Sequence, residues 1–108
     1  MGLGTQVRLS RIFSHPSQRL FGVAADHFLS YENFPPGSGL SRLGTALAGL
    51  MAAGPDSMTV NVGVAKGYWP QYAGKAALIV ESGTFTPDDR VNELWAEPED
   101  AVRLGADG

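Results

Sequence analysis

With 108 residues, 44% of them hydrophobic and 18% charged, the chain has the balance of a soluble globular domain and room for one domain only. Eight basic residues stand against eleven acidic ones, a net charge of −3, and no basic block appears, so nucleic acid and anionic membrane are poor partners. The absence of cysteine excludes disulfides, thiolate metal sites and a cysteine nucleophile; with a start that lacks an apolar signal region, it points to the cytoplasm.

Residues 1–19 read as a lead-in segment. Arg8, Arg11 and Arg19 alternate with Leu9, Ile12 and Phe13, which suits a short helix or arm, and His15-Pro16-Ser17 supplies a turn. Leu20–Ala25 is then an apolar run without polar alternation, the pattern of a parallel strand covered on both faces. From Ser38 the period changes. Leu40, Leu43, Leu47, Leu50 and Met51 recur at three- and four-residue spacing, which predicts a helix with Ser38 as N-cap and Gly54-Pro55 as its stop.

Two β-branched runs follow, Ser57–Val62 closed by Gly63 and Ala76–Ser82 closed by Gly83, and both are expected strands. Between them Gly67, Pro70 and Gly74 interrupt the chain, so a loop with one helical segment over Trp69–Ala73 is expected. The last element is a short helix opened by Pro98, with Glu99 and Asp100 at the positive end of its dipole and Gly105 after it. This alternation of strands and helices implies an α/β fold with parallel strands and right-handed crossovers.

In such folds chemistry gathers at the carboxyl ends of strands, where loops vary while the sheet holds their bases still. Each expected strand delivers polar groups there: Asp26-His27 after the first, Asn61 in the second, and Glu81, Ser82 and Thr84 around the third. Asp26 is the catalytic candidate, able to hydrogen-bond a substrate hydroxyl or steer a proton, and it reads equally as a loop-capping aspartate. His27, Asn61, Glu81 and Ser82 are candidate substrate-binding residues, with His27 also readable as a structural hydrogen-bond partner.

Other chemistries have less support. A metal site would need His15, His27 and a carboxylate to converge, and no ligand spacing is present, so no metal is expected. Gly63, Gly67 and the Ser82–Thr84 turn could cradle a phosphate but match no phosphate-loop pattern. Tyr68, Trp69 and Tyr72 suit packing or a subunit contact. The two lysines, Lys66 and Lys75, read as surface residues; Lys66 follows the second strand and Lys75 precedes the third, at the opposite end of the sheet.

Taken together, "RLSRIFS", "LFGVAADH", "GPDSMTVNVGVA", "ALIVESGT" and "AVRLGAD", in that order, resemble the opening of archaeal-type class I fructose-bisphosphate aldolases, in the wider family that includes deoxyribose-phosphate aldolase. The resemblance implies a (β/α)8, or TIM, barrel whose lysine forms a Schiff base with a phosphorylated ketose, with no cofactor and with oligomerisation of the complete form. It matches Asp26 to the acidic active-site residue after strand one. The chain departs from it at His27-Phe28, where members commonly have His-Gly. A barrel of this kind takes about 250 residues. Residues 20–108 then correspond to about three βα units of a single incomplete domain. The Schiff-base lysine is expected on a later strand beyond Gly108, and the 108-residue chain alone is expected to be inactive. The alternatives are a related aldolase or transferase of the same fold with another phosphorylated substrate, and a non-catalytic α/β module that oligomerises through open edges.

Overall fold

The structure is a computed structural model describing residues 1–26, 42–83 and 94–108. His27, Ser38, Leu40 and Thr84 lie outside the described residues. In chain order the elements are helix α1 (Leu3–Ile12), strand β1 (Gly22–Ala24), helix α2 (Leu43–Ala52), strand β2 (Ser57–Asn61), helix α3 (Val62–Tyr68) with a 3₁₀ turn (Trp69–Tyr72), strand β3 (Ala77–Glu81) and helix α4 (Pro98–Arg103). The strands form one parallel sheet in the order β1-β2-β3. The α/β class with parallel strands is therefore as expected. No helix among the described residues is long and apolar enough to cross a membrane.

Alternation along β2 divides the sheet into two faces. Val23, Met58 and Leu78 are register partners, as are Val60 and Val80, and this apolar face is covered by the helices. Met58, Val60 and Leu78 form the core with Leu47 of α2, Val64 and Ala65 of α3, Trp69 and Ala106. The periodic residues of α2 work as their spacing predicts: Leu47 is buried, and Leu43, Leu50 and Met51 pack around it. That helix starts at Leu43 with Arg42 as its N-cap, and Gly54 after it takes φ +70°.

The other face carries Gly22, Ser57 and Ala77, then Ala24, Thr59 and Ile79, then Asn61 and Glu81. It is less covered. Gly22 and Ala24 are exposed, and Thr59, Ile79 and Glu81 are half-buried. The expectation that the first strand is covered on both faces is therefore incorrect: pairing is confined to Gly22–Ala24, and Leu20 and Phe21 are 43% and 50% exposed. Phe21 is still anchored, its N–H donating to Asp56 Oδ2 at 2.8 Å and its carbonyl accepting from the Asp56 N–H.

The expected loop after β2 is instead helix α3, which contains Gly63 and Gly67. Each glycine costs about 1 kcal/mol of helix propensity relative to alanine. Burial of Val64 and Ala65 against the sheet outweighs that cost. Pro70, which has no N–H to continue the ladder, falls in the 3₁₀ turn where the α-helix ends. The last helix is close to its sequence reading. Pro98 opens it, the Glu97 N–H donates to Asp100 Oδ2 at 3.0 Å, and Gly105 adopts φ +72° after it.

Residues Asp107 and Gly108 lie along the outer edge of β3. The Gly108 N–H donates to the Leu78 carbonyl at 3.3 Å and the Val80 N–H donates to the Gly108 carbonyl at 2.9 Å, the alternation of a parallel ladder. Asp107 fixes this segment: its Oδ1 pairs with Arg11 of α1 at 3.1 Å and its Oδ2 accepts the Leu78 N–H at 3.4 Å. α1 buries no residue, and Arg11 ties it to the body of the chain.

Candidate functional site

The carboxyl ends of the three strands lie side by side because the strands are parallel and in register. Asn61 of β2 and Glu81 of β3 are direct register partners on the less covered face. On the other side of β2, Ala24 pairs with Thr59, and the Ala25 N–H donates to the Thr59 carbonyl at 2.8 Å. Asp26 follows at the end of β1. With neighbouring strands about 4.8 Å apart, Asp26 and Glu81 flank Asn61 across about 10 Å.

Burial differs along this row. Asp26 is half-buried, although its Oδ1 is shielded from solvent, and Glu81 is half-buried. Asn61 is 1% exposed, and neither atom of its carboxamide has a hydrogen-bond partner among the described residues. Asn61 also occupies the N-cap position of α3, in extended conformation, without making a side-chain capping bond. A buried amide that neither caps nor pairs costs about 1–3 kcal/mol. The row can do what carboxylates beside an amide do: accept hydrogen bonds from hydroxyls, move a proton, and offer one donor and one acceptor set between them.

No protein-family model matches the chain.

Of the sequence candidates, the fold brings together Asp26, Asn61 and Glu81. Ser82 is exposed on the next residue of β3's path, and its carbonyl is taken by the N–H groups of Trp95 and Ala96 at 2.8 and 3.2 Å. Alternation aims Ser82 to the opposite face from Glu81, so it does not extend the row. Gly63 is the second residue of α3 and Gly67 the sixth.

The remaining groups fall outside the row. Lys66 and Lys75 are both exposed. His15 is engaged within its own turn, its Nδ1 accepting from the Ser17 N–H at 3.1 Å and lying 2.7 Å from the Ser17 hydroxyl. Trp69 is 6% exposed and stacks at a tilt on Tyr72, ring centroids 5.9 Å apart. Of the aromatic group Trp69 is core, Tyr72 is half-buried against it, and Tyr68 is 39% exposed.

Sequence reasoning missed two features. The Arg11–Asp107 pair joins residues 96 positions apart, and no local spacing could reveal it. The N-cap position of Asn61 was readable, since asparagine ahead of "VGVAKG" is a helix-start signal; the two glycines obscured it.

Proposed function

We propose that the chain is the N-terminal part of a Schiff-base-forming, class I aldolase-type (β/α)8 barrel acting on a phosphorylated ketose in the cytoplasm. Fructose 1,6-bisphosphate is the leading substrate. The observation that supports this reading is the placing of Asp26, Asn61 and Glu81 at the carboxyl ends of three adjacent parallel strands, on the less covered face of the sheet. In a barrel that face is the interior and those ends are the mouth. Parallel pairing of Gly108 on the outer edge of β3 is compatible with a further strand.

In this reading a lysine of a later strand adds to the ketone and loses water, giving an iminium. Asp26 accepts the proton of the hydroxyl β to that carbon as the carbon–carbon bond breaks. The bond's electron pair passes into the enamine, an aldehyde leaves, and reprotonation and hydrolysis release the ketone and the lysine. Lys66 and Lys75, exposed on the surface, have no part in it. A related aldolase or transferase with another phosphorylated substrate would use the same row.

The test is cleavage of fructose 1,6-bisphosphate by the native polypeptide that carries this sequence, and by its Asp26→Asn form. The variant is expected to lose about 100-fold or more in turnover with an unchanged far-ultraviolet spectrum. Unaffected turnover removes Asp26 from the mechanism, and absence of cleavage by the parent removes the aldolase.

A second reading, a non-catalytic module that oligomerises through open edges, is favoured by the exposed Leu20 and Phe21 beside β1, which is an edge strand of the sheet among the described residues. Size-exclusion chromatography of the 108-residue chain separates the two. A defined, folded oligomer supports the module, and a monomer or ill-defined aggregate opposes it.

A further inference from the structure

An open cavity of about 520 Å³ lies between α4, β3 and α1, within the range of roughly 300–1,000 Å³ usual for small-molecule sites. Its wall is mostly apolar and includes Val80 of β3, Leu94, Ala96, and Ala101 and Val102 of α4. Leu94 and Val102 are 64% and 59% exposed, so this wall is left in contact with water. Asp26, Asn61 and Glu81 do not line it, and the cavity is independent of the strand-end row and of the aldolase reading.

Arg8 gives the cavity its chemistry. It lies one turn of α1 before Arg11, which clasps Asp107, and it lines the cavity from that side. Its guanidinium rests over Gly4, where a Cβ would stand 3.3 Å from Nη1. Arg8 is half-buried and makes no hydrogen bond or ion pair among the described residues. Neither carboxylate at the cavity neutralises it: Asp107 is held by Arg11 and the Leu78 N–H, and the exposed Glu97 forms no ion pair with Arg8.

From these observations we infer that the cavity binds a small amphipathic carboxylate, with an apolar chain or ring against Val80, Leu94 and Val102 and its carboxylate on the Arg8 guanidinium. The planar guanidinium matches a carboxylate with two parallel N–H donors, and burial of the apolar part supplies the rest of the affinity. A neutral apolar molecule would cover the wall and leave Arg8 unpaired. An inorganic anion would pair with Arg8 and leave the wall wet, and an amine would be repelled.

The test is isothermal titration calorimetry of the native polypeptide that carries this sequence, at neutral pH, with octanoate and with octan-1-ol as the uncharged comparator of equal chain length. Octanoate is expected to bind saturably and about tenfold more tightly than octan-1-ol, the scale of one charge-assisted hydrogen-bonded pair at a partly exposed site. Arg8→Gln, in a helix that buries no residue, should weaken octanoate about tenfold and leave octan-1-ol unchanged. Ala101→Phe, which fills the cavity from α4, should abolish binding of both. Absence of saturable octanoate binding overturns the inference, as does equal affinity for the two ligands. So does an Arg8→Gln form that affects both alike or neither, or an Ala101→Phe form that still binds octanoate as the parent does.

Discussion

The two faces of β2 show how one strand divides its labour. Met58 and Val60 point into the helix-covered side and are completely buried among Leu47, Val64, Trp69 and Leu78. Ser57, Thr59 and Asn61, the residues between them, face the side where Ala24 and Glu81 meet solvent. The apolar set excludes water and stabilises the fold; the polar set ends in a row of hydrogen-bonding groups. Because the strand period is two, each kind of residue can change without disturbing the other.

The largest effect is expected on the covered face. Met58→Ala leaves a cavity at the centre of the sheet and should cost about 2–5 kcal/mol, read from urea unfolding. A loss below about 1 kcal/mol would mean that this face is not the core. Next comes the clasp at the far edge. Asp107→Ala removes the partner of Arg11 and of the Leu78 N–H, and should cost about 1–3 kcal/mol. Faster hydrogen exchange at the Leu78 and Val80 amides would accompany it, and unaltered exchange there would show that the edge is held some other way.

A smaller loss, about 1 kcal/mol, is expected for Asp100→Ala, which removes the acceptor of the Glu97 N–H at the start of α4. Circular dichroism during thermal unfolding checks it. The smallest effect belongs to the less covered face. Thr59→Val keeps the shape of a half-buried residue and should change stability by no more than about 0.5 kcal/mol. If Thr59→Val proved as damaging as Met58→Ala, the contrast between the faces would collapse.

The part of this arrangement that was legible in the sequence is the part set by local pattern. The β-branched runs located β2 and β3, and the leucine spacing of α2 named the side chains that reach the core. Pro98 and Gly105 bracketed α4 because both act through their own φ angle. Helix α3 was not legible, since Gly63 and Gly67 oppose it and only the burial of Val64 and Ala65 against the sheet makes it worthwhile. Leu20 and Phe21 look like strand interior but precede the paired residues, and pairing is decided by β2. At the candidate site, alternation was enough to bring Asn61 and Glu81 together. The unpaired burial of Asn61 and the Arg11–Asp107 pair depend on tertiary packing that no short window contains.

The central claim is that the row at the strand ends belongs to the mouth of a Schiff-base barrel. Its most direct test is borohydride reduction of the native polypeptide in the presence of dihydroxyacetone phosphate, with the modified residue located by peptide mass spectrometry. The account predicts one reduced adduct, on a lysine C-terminal to Gly108. Absence of an adduct, or an adduct on Lys66 or Lys75, would contradict it.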